Sequence, residues 1–180
     1  MGKQLSQLNE QLQTFIAEQK LFFVGTAQSE GRVNVSPKGM DTLRVLGPNQ
    51  VVWLNLTGSG NETAAHLLEN PRMTILFCAF EGKPLILRLY GQAKIYHEGD
   101  AGFQQHIHQF PKILGSRQII ELNIDLVQTS CGFAVPFMDY KEERTQLLDW
   151  AAHKGEEGIK QYWQDRNQQS IDGFPTGMPQ

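Results

Sequence analysis

Short apolar runs joined in pairs by tight polar turns restrict this 180-residue chain to an antiparallel β architecture. Leu21–Ala27 turns at Ser29-Glu30-Gly31 into Arg32–Ser36. Leu43–Leu46 turns at Gly47-Pro48-Asn49 into Val51–Leu56. Met73–Phe80 turns at Glu81-Gly82-Lys83 into the long run Leu85–His97, and Ile119–Val135 supplies one or two more strands. Strands and helices do not alternate regularly, so a doubly wound parallel sheet is excluded. The pattern predicts a mainly β fold with peripheral helices, a small antiparallel barrel of six or so strands.

The helices are placed by periodicity and capping chemistry. Leu5, Leu8, Leu12, Phe15 and Ile16 recur at helical spacing and predict an amphipathic helix over Lys3–Lys20. A short helix is expected over Glu62–Glu69, with Asn61 as its N-cap and Pro71 as its stop. Another is expected over Asp100–Phe110. Asp139 with Glu142 three residues on has capping-box spacing and predicts a C-terminal helix to His153; Gly155 and Gly158 then break into a second helical stretch to Gln168. The resulting division is a barrel domain over 1–138, a helical extension over 139–170 and a loose tail over 171–180.

Two segments carry the chemistry. NVSPKG (Asn34–Gly39) and NLTGSGNET (Asn55–Thr63) each follow a strand, and the second leads into a helix. Small residues that admit a close backbone approach, hydroxyl and amide donors, and a helix N-terminus beyond them suit a phosphate. Lys38 and Arg88 are the candidate cations. Arg88 lies in Leu85-Ile-Leu-Arg-Leu-Tyr-Gly, where strand alternation sets it against apolar neighbours, and a desolvated guanidinium requires an anion. The partner is a ligand's phosphate or carboxylate, an acidic side chain of the same protein, or solvent at a barrel rim. The loop has neither the GK[ST] ending of a P-loop nor a GxGxxG pattern.

Composition excludes several classes. A net charge of −3 argues against a nucleic-acid sheath or an anionic-membrane binder. No run is long enough to span a bilayer and none reads as a signal peptide, so a cytoplasmic protein is expected. Cys78 and Cys131 form no CxxC and read as reduced core residues. Five scattered histidines give no metal-ligand spacing, and there is no nucleophile elbow or paired carboxylate. A phosphate site without a nucleophile, base or metal set fits a protein whose cofactor carries the reaction, and flavin chemistry is of this kind. No catalytic side chain is assigned.

The order of hairpin, NVSPKG, apolar strand, Gly-rich loop, AAHLLENPRMTILF (Ala64–Phe77) and a long strand ending in Tyr-Gly-Gln-Ala resembles the pyridoxamine 5'-phosphate oxidase-like FMN-binding split barrels, over about Leu21 to Val135. The resemblance implies a six-stranded split barrel that dimerises, with FMN in the groove between subunits. It implies that Val35, Ser36, Pro37 and Lys38 face the flavin and its phosphate. It runs Leu54 and Asn55 along the flavin, and places Ser59, Gly60, Asn61 and Thr63 at the phosphate, with Arg88 on a strand that reaches the site. It also marks departures. The true oxidase has an Arg-Lys pair where this chain has Glu62 and Thr63, and it ends in a strand carrying an Arg and a His for the pyridoxal substrate. This chain ends in helices and a Gly/Pro tail, so pyridoxamine oxidase activity is not expected. The expectation is an FMN-dependent oxidoreductase acting on a small-molecule substrate as a homodimer. The alternatives are a non-catalytic flavin or haem binder (with His66, His97, His106 or His153 as axial ligand) and a deazaflavin-dependent reductase.

Overall fold

The computed structural model describes residues 2–179. Its sheet is organised around β8 (Ser116–Ser130), a single 15-residue strand that spans the molecule. Along one edge β8 pairs with β7 (Ile86–His97) from Ser130 to Gln118. Along the other, its first half pairs with β5 (Gln50–Leu56) and its end with β1 (Lys3–Leu5). The remaining strands are β2 (Leu21–Thr26), β3 (Asn34–Gly39), β4 (Leu43–Gly47) and β6 (Arg72–Cys78). All pairings are antiparallel and the path reads β3-β2-β6-β7-β8-β5-β4. The path does not close. β3 and β4 are its two ends, and this opening makes the molecule a split barrel.

Alternation along the strands builds the interior. Phe22, Val24, Ile75, Phe77, Leu87, Leu89, Ile120 and Leu122 point into one cluster with Trp53, which is 1% exposed. β5 is buried on both faces. Its other face, Val52 and Leu54, packs with Phe103, Phe110 and Ile119 beneath α3 (Ala101–Ile107). Gly91 sits at a register shift between β7 and β8, where a Cβ would lie 2.0 Å from the Asn123 carbonyl oxygen; only glycine permits that crossing.

Helix α2 (Glu62–Glu69) has the expected bounds. Several other expectations fail. The N-terminal helix is shorter: α1 spans Glu10–Glu18, because the Asn9 side chain accepts from the Leu12 amide and starts it there, while Lys3–Leu5 pairs with β8. The barrel therefore has eight strands, seven on the main path and β1 beside it. No helix opens at Asp139. The Met138 amide donates to the Phe80 carbonyl and the Tyr140 amide to the Glu81 carboxylate, which lays this segment along the β6–β7 turn. The C-terminal helix α4 begins later and spans Gln146–Arg166, kinked at Gly155 (φ 67°, ψ 173°) where the sequence reading placed a break. The tail is not loose. Ser170, Thr176 and Met178 are buried, and Gln169 bridges Pro175. Cys131 is exposed just beyond β8, not in the core, while Cys78 is partly buried. No described helix is long and apolar enough to cross a membrane.

Candidate functional site

The split between the ends of the sheet is where NVSPKG and the Gly-rich loop meet. On β3, alternation turns Asn34, Ser36 and Lys38 inward and Val35 and Pro37 outward. The inward set lines a cavity of about 270 Å³ with Ser59, Gly60, Asn61 and Thr63 from the loop and the start of α2. A second cavity of about 200 Å³ adjoins it through Lys38, Asn55 and Gly58, and reaches Met40, Trp53 and Leu147 at the start of α4. Met40 has a φ of 62°, a left-handed conformation that costs a non-glycine residue on the order of 1 kcal/mol and that clusters at ligand sites.

The N-terminus of α2 is open toward this groove. The first amides of a helix have no intrahelical partner, and the Asn61 side chain makes no capping hydrogen bond to them. Asn61 instead donates from Nδ2 to the Asn167 carbonyl at 3.5 Å, and its buried Oδ1 has no partner. Thr63 Oγ1 accepts from Asn34 Nδ2 at 3.3 Å, tying β3 to the helix.

Two cations serve the groove. Lys38 Nζ lies 5.0 Å from the centre of the Trp53 ring, a cation–π contact, and burial together with the charge of Arg117 lowers its pKa from 10.5 to about 8. The second cation, Arg117 at the start of β8, was not among the candidates. It is 4% exposed and donates from Nη1 to the Gly60 carbonyl at 3.1 Å and to Asn167 Oδ1 at 2.7 Å. Its Nε is buried and has no partner. Burial lowers its pKa to about 10, so it is charged at neutral pH. Neither Lys38 nor Arg117 has a carboxylate within salt-bridge distance among the described residues.

The other expected residues divide. Ser36, Lys38, Asn55, Ser59, Gly60, Asn61 and Thr63 line the groove. Pro37 and Leu54 border the second cavity only, and Leu54 packs in the cluster beneath α3. Asn55 donates to Gln118 Oε1 at 2.8 Å, within the core. Val35 (66% exposed) and Arg88 lie on the outer face of the sheet, away from the groove. Arg88 donates to Ser130 Oγ at 3.0 Å, a hydroxyl and not the anion that its setting suggested. Beside Arg117, Thr57 fixes the loop: its hydroxyl donates to the Gly115 carbonyl at 2.8 Å and accepts from Trp163 Nε1 at 2.8 Å.

A half-open, cation-lined slot in a split antiparallel barrel defines a class. The family model described as pyridoxamine 5'-phosphate oxidase matches residues 8–131. The chain belongs to the pyridoxamine 5'-phosphate oxidase family. It is 33% identical to the pyridoxamine 5'-phosphate oxidase family protein ustO of Aspergillus flavus over 188 residues, covering 93% of this chain and 75% of that protein. Among solved structures it shares its fold with a candidate pyridoxamine 5'-phosphate oxidase of Lactobacillus delbrueckii (TM-score 0.53, 20% identity, covering 68% of this chain and 94% of that one). It shares the fold equally with HutZ, the haem storage protein of Vibrio cholerae (TM-score 0.50, 19% identity, covering 66% and 92%).

The lowered pKa of Lys38 has a measurable consequence. Unfolding returns the amine to 10.5, so between pH 8 and 10.5 the unfolded chain binds more protons and the stability set by this group rises with pH. Lys38→Met should lack that rise. Urea unfolding of both proteins across the interval should show the gap in stability between wild type and variant changing in favour of wild type as pH increases; a constant gap would return Lys38 to an ordinary solvated lysine.

Proposed function

We propose that this protein binds FMN in the split-barrel groove and acts as an oxidoreductase on a small substrate. The observation that carries the reading is the pair of cations without acidic partners, Lys38 and Arg117, beside an uncapped helix N-terminus. A phosphate monoester answers all three at once: it neutralises the charges, accepts from the buried Nε of Arg117 and caps α2. Ser36, Ser59, Asn61 and Thr63 add side-chain donors, and Gly60 lets the backbone approach. The ring system would lie along the second cavity toward Trp53 and Met40.

When bound, the flavin supplies hydride or electron transfer. The chain's own part is to hold the phosphate, exclude water with α4 over the second cavity, and present at Lys38 Nζ a partly desolvated ammonium whose pKa of about 8 a bound anion would raise. Haem fits the groove less well. A haem requires an axial side chain, and no histidine lines either cavity. His66 is buried against Thr26 Oγ1 at 3.0 Å, and His106 lies 3.3 Å from the Glu121 carboxylate.

A second copy of this chain is the partner this reading implies. The outer face of the sheet sets Pro37, Phe23, Leu76, Arg88 and Gln128 in one cross-strand row, with Val35, Gly25, Thr74 and Tyr90 in the next. Val33 and Val35 are 71% and 66% exposed there, which suits a flat apolar contact between copies.

Two measurements test these statements. Riboflavin lacks the phosphate, so wild type should bind FMN more tightly than riboflavin. Arg117→Gln should reduce that preference by roughly 10- to 100-fold while leaving riboflavin affinity unchanged, the worth of charge-assisted hydrogen bonds of about 1.5–3 kcal/mol. An unaltered preference removes Arg117 from the site. In sedimentation, wild type should run as a dimer and Val35→Glu as a monomer; a variant that stays dimeric places the interface elsewhere.

A further inference from the structure

Glu62 stands in the first turn of α2, where a carboxylate is favoured by the helix dipole and where it would repel an anion. It lines the groove, but its carboxylate is hydrogen-bonded there. Both of its carboxylate oxygens accept from the backbone amide of Ile171, at 3.2 and 3.0 Å. The segment that supplies this amide is held at several points. Asp172 pairs with the Arg32 side chain and accepts from the Arg32 amide at 2.8 Å. The Ser170 amide donates to the Phe174 carbonyl at 2.9 Å.

The same segment begins at Asn167, the residue that caps the C-terminus of α4. Asn167 has no exposed surface, and its polar atoms meet four elements. Its Nδ2 donates to the Gly58 carbonyl at 3.2 Å, and its Oδ1 accepts from Arg117 at 2.7 Å. Its backbone carbonyl accepts from Asn61 at 3.5 Å and from the Thr176 hydroxyl at 2.6 Å. It thus ties the Gly-rich loop, the start of α2, the buried guanidinium and the tail together. The partner it offers Arg117 is a neutral amide oxygen. A carboxylate would also satisfy that Nη1–H, and would cancel the charge.

We propose that Asn167 is the positioning residue of the phosphate-monoester site: it aims Arg117 without neutralising it, while the tail that follows engages the Glu62 carboxylate at the groove's edge through the Ile171 amide. This rests on the reading of the groove as a phosphate site. The net positive charge at the α2 N-terminus is then set by a segment outside the barrel, one that carries no cationic contact to the ligand itself.

Asn167→Asp tests the charge argument in an isosteric side chain, at the cost of the hydrogen bond to the Gly58 carbonyl, and Asn167→Ser, which loses that bond without adding a charge, is its control. Asn167→Asp keeps an oxygen toward Arg117 and pairs it. It should fold, and its preference for FMN over riboflavin should fall roughly tenfold or more. A role confined to capping α4 predicts an unchanged preference, and that result would overturn the proposal. Ile171→Pro tests the Glu62 arm separately, because proline has no amide hydrogen to offer. It should weaken FMN relative to riboflavin, and Glu62→Gln in the same chain should restore it; wild-type preference in Ile171→Pro would remove this arm. Inorganic phosphate separates the inference from the flavin reading. If wild type binds no flavin, yet phosphate raises its melting temperature and not that of Asn167→Asp, the flavin assignment falls and the inference stands. Equal stabilisation of the two by phosphate, or of neither, overturns the inference.

Discussion

A guanidinium that is 4% exposed and lacks a carboxylate partner is the interaction on which the site depends. Arg117 is the first inward-turned charge on the strand that organises the sheet, and its neighbours are all chosen around it. The Gly60 carbonyl and the Asn167 amide oxygen accept two of its hydrogen bonds. Its charge helps hold Lys38 at a pKa of about 8. Burying an unpaired cation costs several kcal/mol. A fold that keeps this one, with the partly buried Lys38, beside an uncapped helix end retains a destabilising arrangement that a bound anion would relieve.

The C-terminal third of the chain closes the account of how the barrel tolerates its departures. In the family pattern an Arg-Lys pair opens the helix where this chain has Glu62 and Thr63. Here a buried arginine stands on a different strand, and the Glu62 carboxylate is occupied by the Ile171 amide. Trp163 and Asn167 on α4, with the ordered tail beyond, press the Gly-rich loop into place through Thr57 and Gly58. The extension is therefore part of the site.

Much of the fold was legible. The turn triplets fixed three hairpins, the Asn61–Pro71 bracket fixed α2, and the Gly155 break in α4 was visible as a glycine inside an otherwise helical run. What was not legible depended on distant contacts. Lys3–Leu5 reads as helix by its spacing and becomes strand because β8 has a free edge there. Asp139–Glu142 has capping spacing, yet its backbone is taken by the β6–β7 turn. The tail is rich in Gly and Pro and looks loose, but Thr176 and Met178 find buried partners in Asn167 and Gln118.

The site shows the same division. The two loop segments were expected to meet at one site, and seven of the expected residues line one groove. The argument applied to Arg88, a guanidinium among apolar neighbours, was sound in kind and belonged to Arg117. Arg88 sits mid-strand, where alternation looks informative, but its face is the outer one. Arg117 opens its apolar run, a place where a charge ordinarily meets solvent. Its partners are Gly60 and Asn167, the latter fifty residues away in sequence, and neither is visible from its own strand.

The most direct test of the central claim is the visible absorbance spectrum of freshly purified protein, taken again after saturation with FMN and followed by acid release and identification of the chromophore. The account predicts the two-banded spectrum of an oxidised flavin with FMN released. A protein that is colourless and remains so with added FMN, or one that shows a Soret band and releases haem, would contradict it.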